Sequence, residues 1–159
     1  MKFSVVVYGA PYSNEASASA LNFSQAVIDQ GHSIYRLFFF SDGVHNANRF
    51  VVTPQDEINL QDEWEKLIQE YSIDSIVCVT SGLKRGIINE GEAKRHKLDV
   101  SSIKPNSELS GLGQLIDAYS NSNRIISFGY CEWLKKLRLL LSLQERPPME
   151  AIGAACYLT

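Results

Sequence analysis

The sequence predicts an α/β fold: a single-domain open parallel sheet with helices on both faces. Short runs rich in β-branched and aromatic residues alternate with longer segments of helical periodicity. Glycine and proline mark most of the junctions between these segments. Hydrophobic residues make up 45% of the 159 positions and charged residues 21%, a balance typical of one globular domain.

The first 40 residues predict a β-α-β unit. Residues 3–8 are a short β-branched run that a Gly-Ala-Pro turn ends, as expected of a buried strand. Ser13 or Asn14 is placed to cap a following helix, and Gly31 is placed to end it. Residues 34–40 form the second strand. Because a helix connects the two strands, they are expected to be parallel neighbours.

The same alternation continues to residue 128. The apolar positions of residues 60–71 and 112–119 have helical spacing, and a further helix is expected near residues 89–97. Residues 75–79 and 124–128 are predicted as the third and fourth strands. The Ser-Gly-Leu-Gly segment at 110–113 is predicted as a tight turn into a helix, with no strand directly before it. A dinucleotide-binding loop has the motif G-x-G-x-x-G directly after a strand. This segment has no predicted strand before it and lacks the third glycine, so a dinucleotide-binding loop is not expected here.

Charge, cysteine usage and hydropathy restrict the class of protein. A formal charge of −3 argues against general affinity for nucleic acid. The N-terminal apolar run is too short for a signal peptide, and no stretch approaches the roughly 18 apolar residues of a membrane span. Cys78, Cys131 and Cys156 form no C-x-x-C pair, and the three histidines stand alone. We therefore expect a cytoplasmic protein without a metal site.

Cys78 is the strongest candidate for a reactive residue. It lies at the carboxyl end of the third predicted strand, the edge where α/β sheets place their sites. The N–H groups of a turn or helix start, the hydroxyls of Thr80 and Ser81, and the charges of Lys84 and Arg85 would all favour a thiolate. The alternative is an inert packing residue, since cysteine is among the most frequently buried residue types.

Nucleotide binding and hydrolysis receive less support. The first loop, residues 9–14, occupies the place where flavodoxin-like proteins hold phosphate, but it is poor in glycine and hydroxyl groups. The sequence has no Walker motif, no nucleophile elbow and no paired-carboxylate motif. A flavin- or nucleotide-binding module of the flavodoxin type stays open as an alternative.

Several segments, in this order and spacing, resemble the DsrE/DsrF-like family, and within it the TusD-type subunits of the TusBCD sulfur relay. The resemblance covers residues 1–129. The matching segments are 3–7 (FSVVV), 9–12 (GAPY), 38–48 (FFFSDGVHNAN), 77–79 (VCV), 84–87 (KRGI) and 109–115 (LSGLGQL).

The resemblance implies a sulfurtransferase whose active cysteine is Cys78. Such a subunit accepts sulfane sulfur from a TusA-like donor as a cysteine persulfide and passes it to a TusE-like acceptor, for 2-thiouridine at the tRNA wobble position. It works in a heterohexamer with TusB-like and TusC-like subunits. It needs no cofactor, has no direct membrane contact and meets tRNA only indirectly. The alternatives are a non-catalytic DsrE-like scaffold and sulfur trafficking in sulfur oxidation.

The chain continues beyond the end of this resemblance. Residues 130–159 contain a basic, leucine-rich run, a Pro-Pro pair and a small-residue end, and they form an atypical C-terminal extension. We expect either a disordered tail, since disorder concentrates at termini, or the product of a reading-frame change. Cys131 and Cys156 lie in this extension, and the sequence assigns them no role.

Overall fold

The computed structural model describes residues 1–129; the C-terminal extension of residues 130–159 lies outside the described part. The strands are β1 (Lys2–Val7), β2 (Ser33–Phe39), β3 (Asp74–Cys78), β4 (Glu108–Ser110) and β5 (Arg124–Phe128). The helices are α1 (Ala16–Asp29), α2 (Leu60–Tyr71), α3 (Val79–Lys84), α4 (Glu90–Arg95) and α5 (Gly113–Asn121), and a 3-10 helix spans Ser41–Ala47.

The strands form one parallel sheet in the order β4-β3-β2-β1-β5. Helices lie on both of its faces. On one face α1 and α2 pack against each other and cover alternate strand residues such as Val5, Phe39 and Val77. On the other face α5 lies over β2 and β5. The predicted fold class, an open parallel α/β sheet with helices on both faces, is confirmed.

The ends of α1 follow the sequence signals only in part. The N-cap residue is Glu15, not Ser13 or Asn14, and its side chain makes no capping hydrogen bond. Asn14 lies one residue earlier, where its Oδ1 accepts a hydrogen bond of 2.9 Å from the Ala16 backbone N–H. Gly31 follows the last turn with φ of +74°, a left-handed conformation that favours glycine.

One prediction about the second half of the chain is wrong. The described sheet has five strands instead of four, because Glu108–Ser110 pairs with β3 directly before the Ser-Gly-Leu-Gly turn. The turn itself does lead into a helix, as expected. The helix expected from the apolar spacing of residues 112–119 is present as α5. Much of its apolar surface is exposed: Leu112 at its N-cap, Ile116 and Tyr119 are 45%, 67% and 40% exposed, and Ala118 is the buried residue of the helix.

Candidate functional site

Cys78 is the last residue of β3, and α3 begins at Val79 directly after it. The strand is positioned by its register, in which Val77 faces Phe39 of β2 and Cys78 faces Ser110 of β4. The structure therefore places the cysteine at the carboxyl edge of the sheet and before a helix start, as the sequence predicts.

The side chain of Cys78 is buried on the sheet face that α5 covers. It is a free thiol with 1% of its surface exposed. Its neighbours in the core of this face are apolar or aromatic, and Leu115 of α5 packs against the same cluster; the other buried members are Val6, Tyr8, Phe38 and Ile76. A sulfur atom in this place is removed from solvent.

Thr80 and Ser81 are the hydroxyl residues predicted to support the sulfur. Thr80 is exposed, whereas Ser81 is buried and its Oγ accepts a 3.2 Å hydrogen bond from the backbone N–H of Ser41. Within residues 1–129, neither hydroxyl is hydrogen-bonded to Cys78 Sγ. Ser81 thus joins α3 to the 3-10 helix, and a direct role of either residue toward the sulfur stays a prediction.

The two predicted cations lie in different surroundings. Arg85 Nε donates to Asp42 Oδ1 at 2.7 Å, and its guanidinium also reaches Ser41 Oγ at 3.4 Å. Lys84 is exposed in the last turn of α3 and makes no ion pair among residues 1–129. Arg85 therefore ties α3 to the 3-10 helix, whereas Lys84 presents its charge to solvent.

The first loop and the 3-10 helix enclose a depression of about 450 Å³ at the same edge of the sheet. Its lining residues are Tyr8, Gly9, Ala10, Ser13, Asn14, Asp42 and His45. Asn46 fixes the backbone behind it by donating to the carbonyls of Gly43 at 2.8 Å and Gly9 at 3.2 Å. Ser17, which donates to Asn46 and accepts from Trp64, extends this network into the core.

Arg36 is a buried charge on the same sheet face as Cys78 that the sequence analysis does not identify. It lies in β2, and it is 7% exposed. Its guanidinium binds Asp74 at the start of β3 and Asp117 of α5, with shortest distances of 2.6 and 2.7 Å. The available sequence signal was a charged residue inside an otherwise apolar strand, which is rare unless the charge is paired.

The pKa values of Arg36, Asp117 and Tyr35 are shifted by the contacts among these residues. The Tyr35 hydroxyl donates to Asp117 Oδ2 at 2.8 Å, and this hydrogen bond, together with the charge of Arg36, outweighs desolvation and lowers the pKa of Asp117. The same hydrogen bond raises the pKa of Tyr35. Burial lowers the pKa of Arg36, but the bonds and charges of Asp74 and Asp117 raise it overall.

The lowered pKa of Asp117 predicts a loss of stability in acid. A carboxyl whose pKa is lowered by folding stabilises the fold above its ordinary value of 3.8, and this contribution disappears as the pH falls through the folded-state pKa. We therefore expect Asp117→Asn to reduce the free energy of unfolding at neutral pH, and the difference from wild type to shrink at acid pH, well below 3.8. Urea denaturation at both pH values measures this. A difference that stays constant between them would contradict the assigned ion pair.

Two kinds of site are not found in the described part of the chain. Within residues 1–129, no group of three or more His, Cys, Asp or Glu side chains could hold a metal ion. No helix in the same range is long and apolar enough to cross a membrane.

A sequence model described as the DsrE/DsrF-like family matches residues 1–128. The chain belongs to the DsrE/DsrF-like family. Relatives within it agree: a sulfurtransferase TusD homologue of Pseudomonas aeruginosa is 41% identical over 129 residues, which are 81% of this chain and 98% of that protein. Sulfurtransferase TusD of Cronobacter sakazakii is 36% identical over 80% of this chain and its own full length.

The DsrE-like fold is also found in a solved structure. The YchN protein of Escherichia coli aligns with a TM-score of 0.66 and 24% identity, covering 80% of this chain and 99% of that chain. The predicted membership of this DsrE/DsrF-like protein is confirmed, and the names of its relatives confirm the predicted sulfurtransferase activity and a role in a sulfur relay.

Proposed function

We propose that the protein is a relay subunit that carries sulfane sulfur as a persulfide on Cys78. In this proposal a TusA-like protein is the donor and a TusE-like protein the acceptor, and the sulfur goes to 2-thiouridine at the tRNA wobble position. The carrying observation is that Cys78 is the sole cysteine of residues 1–129, at the sheet edge where this fold places its chemistry, in a family of sulfurtransferases.

The chemistry consists of two thiol exchanges. The Cys78 thiolate attacks the outer sulfur of the donor persulfide, a new S–S bond forms, and the donor's S–S bond breaks with its electron pair on the donor thiolate. The acceptor thiolate then attacks the outer sulfur now on Cys78, and the Cys78 thiolate leaves. Each step breaks one S–S bond and forms another, so there is no net oxidation or reduction and no cofactor is required.

The surface of α5 supports assembly with TusB-like and TusC-like subunits. The exposed residues Leu112, Ile116 and Tyr119 are apolar or aromatic, and the one charged residue of α5, Asp117, is paired with Arg36. An uncharged apolar helix face is typical of the core of a permanent interface. In this proposal the partners cover that face in a heterohexamer in the cytoplasm, where reducing conditions keep cysteines available for exchange.

Lys84 is the cation we propose for partner docking. We expect Lys84→Met to slow loading by a TusA-like protein by a few fold and to weaken its salt dependence, because an exposed charge at an interface rim acts mainly on association. Loading by a small donor such as glutathione persulfide should not change. Lys66→Met, on the exposed surface of α2, serves as the control for the loss of one positive charge. Equal slowing with both donors would contradict a docking role.

A second candidate function is sulfur trafficking in sulfur oxidation. A candidate sulfurtransferase DsrE of Allochromatium vinosum is also 41% identical, over 129 residues that are 81% of this chain and 99% of that protein. Sequence identity is therefore the same to the TusD homologue and to this DsrE relative, and it does not favour either function. The chemistry at Cys78 would be the same, and the two candidates differ in the acceptor.

The transfer step separates these candidates. The protein is loaded with sulfur, freed of donor, and mixed with a TusE-like acceptor, and the intact mass of each chain is followed over time. We expect one sulfur atom to leave the carrier and appear on the acceptor, and a thiouridylase with tRNA to convert it to 2-thiouridine. A carrier that loads but gives no sulfur to this acceptor would overturn the tRNA proposal in favour of another acceptor. A chain that never loads, alone or with partner subunits, would favour the scaffold alternative.

A further inference from the structure

We infer that Arg36 is a positioning residue that holds α5 across the buried face around Cys78 and so restricts access to the sulfur this residue carries. The consequence of this restriction for sulfur transfer rests on the proposed function. The restriction itself does not, because it concerns only how easily reagents reach the Cys78 thiol.

Arg36 joins three elements on one sheet face. Nε and Nη2 contact the Asp74 carboxylate at 2.8 and 2.6 Å, which fixes the guanidinium against the start of β3. Nη1 points to α5, where it donates to the Gln114 carbonyl at 2.8 Å and to Asp117 at 2.7 Å. Because strand residues alternate between faces and Arg36 pairs in register with Asp74, Arg36 lies on the face of Phe38 and Ile76, the face that also holds Cys78.

Arginine suits this position better than lysine would. A planar guanidinium can bind Asp74 with two nitrogen atoms and still direct a third toward α5, whereas an ammonium group is a single point charge. Burial of the charge is tolerated because it is paired on both sides. The guanidinium also lies 5.2 Å from the centre of the Tyr35 ring, whose hydroxyl binds the same Asp117.

The attachment points on α5 lie on both sides of a residue that packs against the apolar cluster to which Cys78 belongs. Leu115, which packs against that cluster, lies directly after Gln114 and two residues before Asp117. Apolar burial alone holds α5 weakly, since Ala118 is its buried residue and much of its apolar surface faces outward. Hydrogen bonds and the ion pair from Arg36 therefore determine how firmly Leu115 stays in place.

A firmly held α5 would protect a persulfide on Cys78 from soluble thiols. The outer sulfur of a persulfide reacts with any thiolate that reaches it, so soluble thiols compete with the intended acceptor. A helix that closes the apolar face slows small reagents, and local opening of that helix sets their rate of access.

The test measures how fast the Cys78 thiol reacts with iodoacetamide. Cys131 and Cys156 are first replaced by serine, so that Cys78 is the one thiol, and intact mass follows alkylation. We expect Arg36→Met to speed the reaction by about tenfold, which corresponds to ~1.4 kcal/mol of local opening. Arg36→Lys should give an intermediate rate, because it keeps the charge but loses the planar contacts. Lys66→Met, which removes the exposed ion pair with Glu63, should react like wild type.

The dependence of the alkylation rate on low concentrations of urea distinguishes local opening of α5 from global unfolding. Local opening exposes little surface, so the rate for Arg36→Met should be nearly independent of urea well below the unfolding transition. A rate equal to wild type, or one that rises with urea as steeply as global unfolding, would overturn the inference.

A second variant keeps the inference testable if Arg36→Met does not fold. Leu115→Ala leaves Arg36 and its partners in place but removes the covering side chain, and it should also speed alkylation with little dependence on urea. A wild-type rate in this variant would overturn the inference. Because iodoacetamide reacts with the thiol itself, neither result depends on whether Cys78 proves to carry sulfur.

Discussion

Replacing Gly43 with alanine is expected to destabilise the protein severely. A Cβ atom at this position would lie 2.0 Å from the Val7 carbonyl oxygen and 2.7 Å from the Val7 carbonyl carbon. Both are backbone atoms at the end of β1, and the same oxygen accepts a 2.9 Å hydrogen bond from Phe40 N–H. They cannot move aside without separating the ends of β1 and β2.

We expect Gly43→Ala to lower the free energy of unfolding by an amount at or above the upper end of the ~1–3 kcal/mol that overpacking usually costs. Urea denaturation gives the free energy of unfolding. Gly111→Ala is the matched control, because a Cβ there meets no atom within 4 Å, and its effect should stay within about 0.5 kcal/mol. Equal stability of the two variants would show that the 3-10 helix does not approach β1 as closely as described.

The sequence predicts most of the sheet because buried parallel strands leave a strong local signal. The apolar runs of β1, β2, β3 and β5 are each bounded by turn residues, and their predicted limits agree with the structure within one residue or two. The position of Cys78 follows from the same signal, since the end of β3 fixes the edge of the sheet on which the cysteine lies.

The missed features depend on contacts between distant residues. β4 has three residues, Glu108–Ser110, and it is a strand because β3 supplies its hydrogen bonds. The partners of Arg36 lie 38 and 81 positions away, so nothing next to it in the sequence indicates the link to α5. The apolar spacing of α5 correctly predicts a helix but not which side is covered, because periodicity does not distinguish a core from an exposed apolar face.

The surroundings of Cys78 also depend on contacts between residues that are distant in the sequence. Proximity in the sequence suggests that Ser81 and Arg85 face the sulfur. In the structure Ser81 accepts from Ser41, and Arg85 binds Asp42, so both hold α3 against the 3-10 helix. Phe38, a member of the same apolar cluster as Cys78, and Leu115, which packs against that cluster, come from elements far along the chain. Burial of the thiol is therefore a property of the fold that neighbouring residues do not reveal.

Cys78→Ser is expected to abolish the loading of sulfur on residues 1–129, because Cys78 is the one cysteine in this range. Serine has nearly the same size, so the fold should be retained at some cost in stability for a hydroxyl buried among apolar residues, and that hydroxyl cannot form a persulfide. Cys131→Ser and Cys156→Ser provide the matched controls, since each removes one of the two other thiols and leaves Cys78 in place. These two variants should load like wild type.

The most direct measurement is the intact mass of the protein after incubation with a persulfide donor, before and after treatment with a reducing thiol. The proposed function predicts a gain of one sulfur atom that the thiol removes, present in wild type and in both control variants and absent in Cys78→Ser. A Cys78→Ser protein that gains the same reducible sulfur, with the gain lost in Cys131→Ser or Cys156→Ser instead, would contradict the central claim that Cys78 is the carrier.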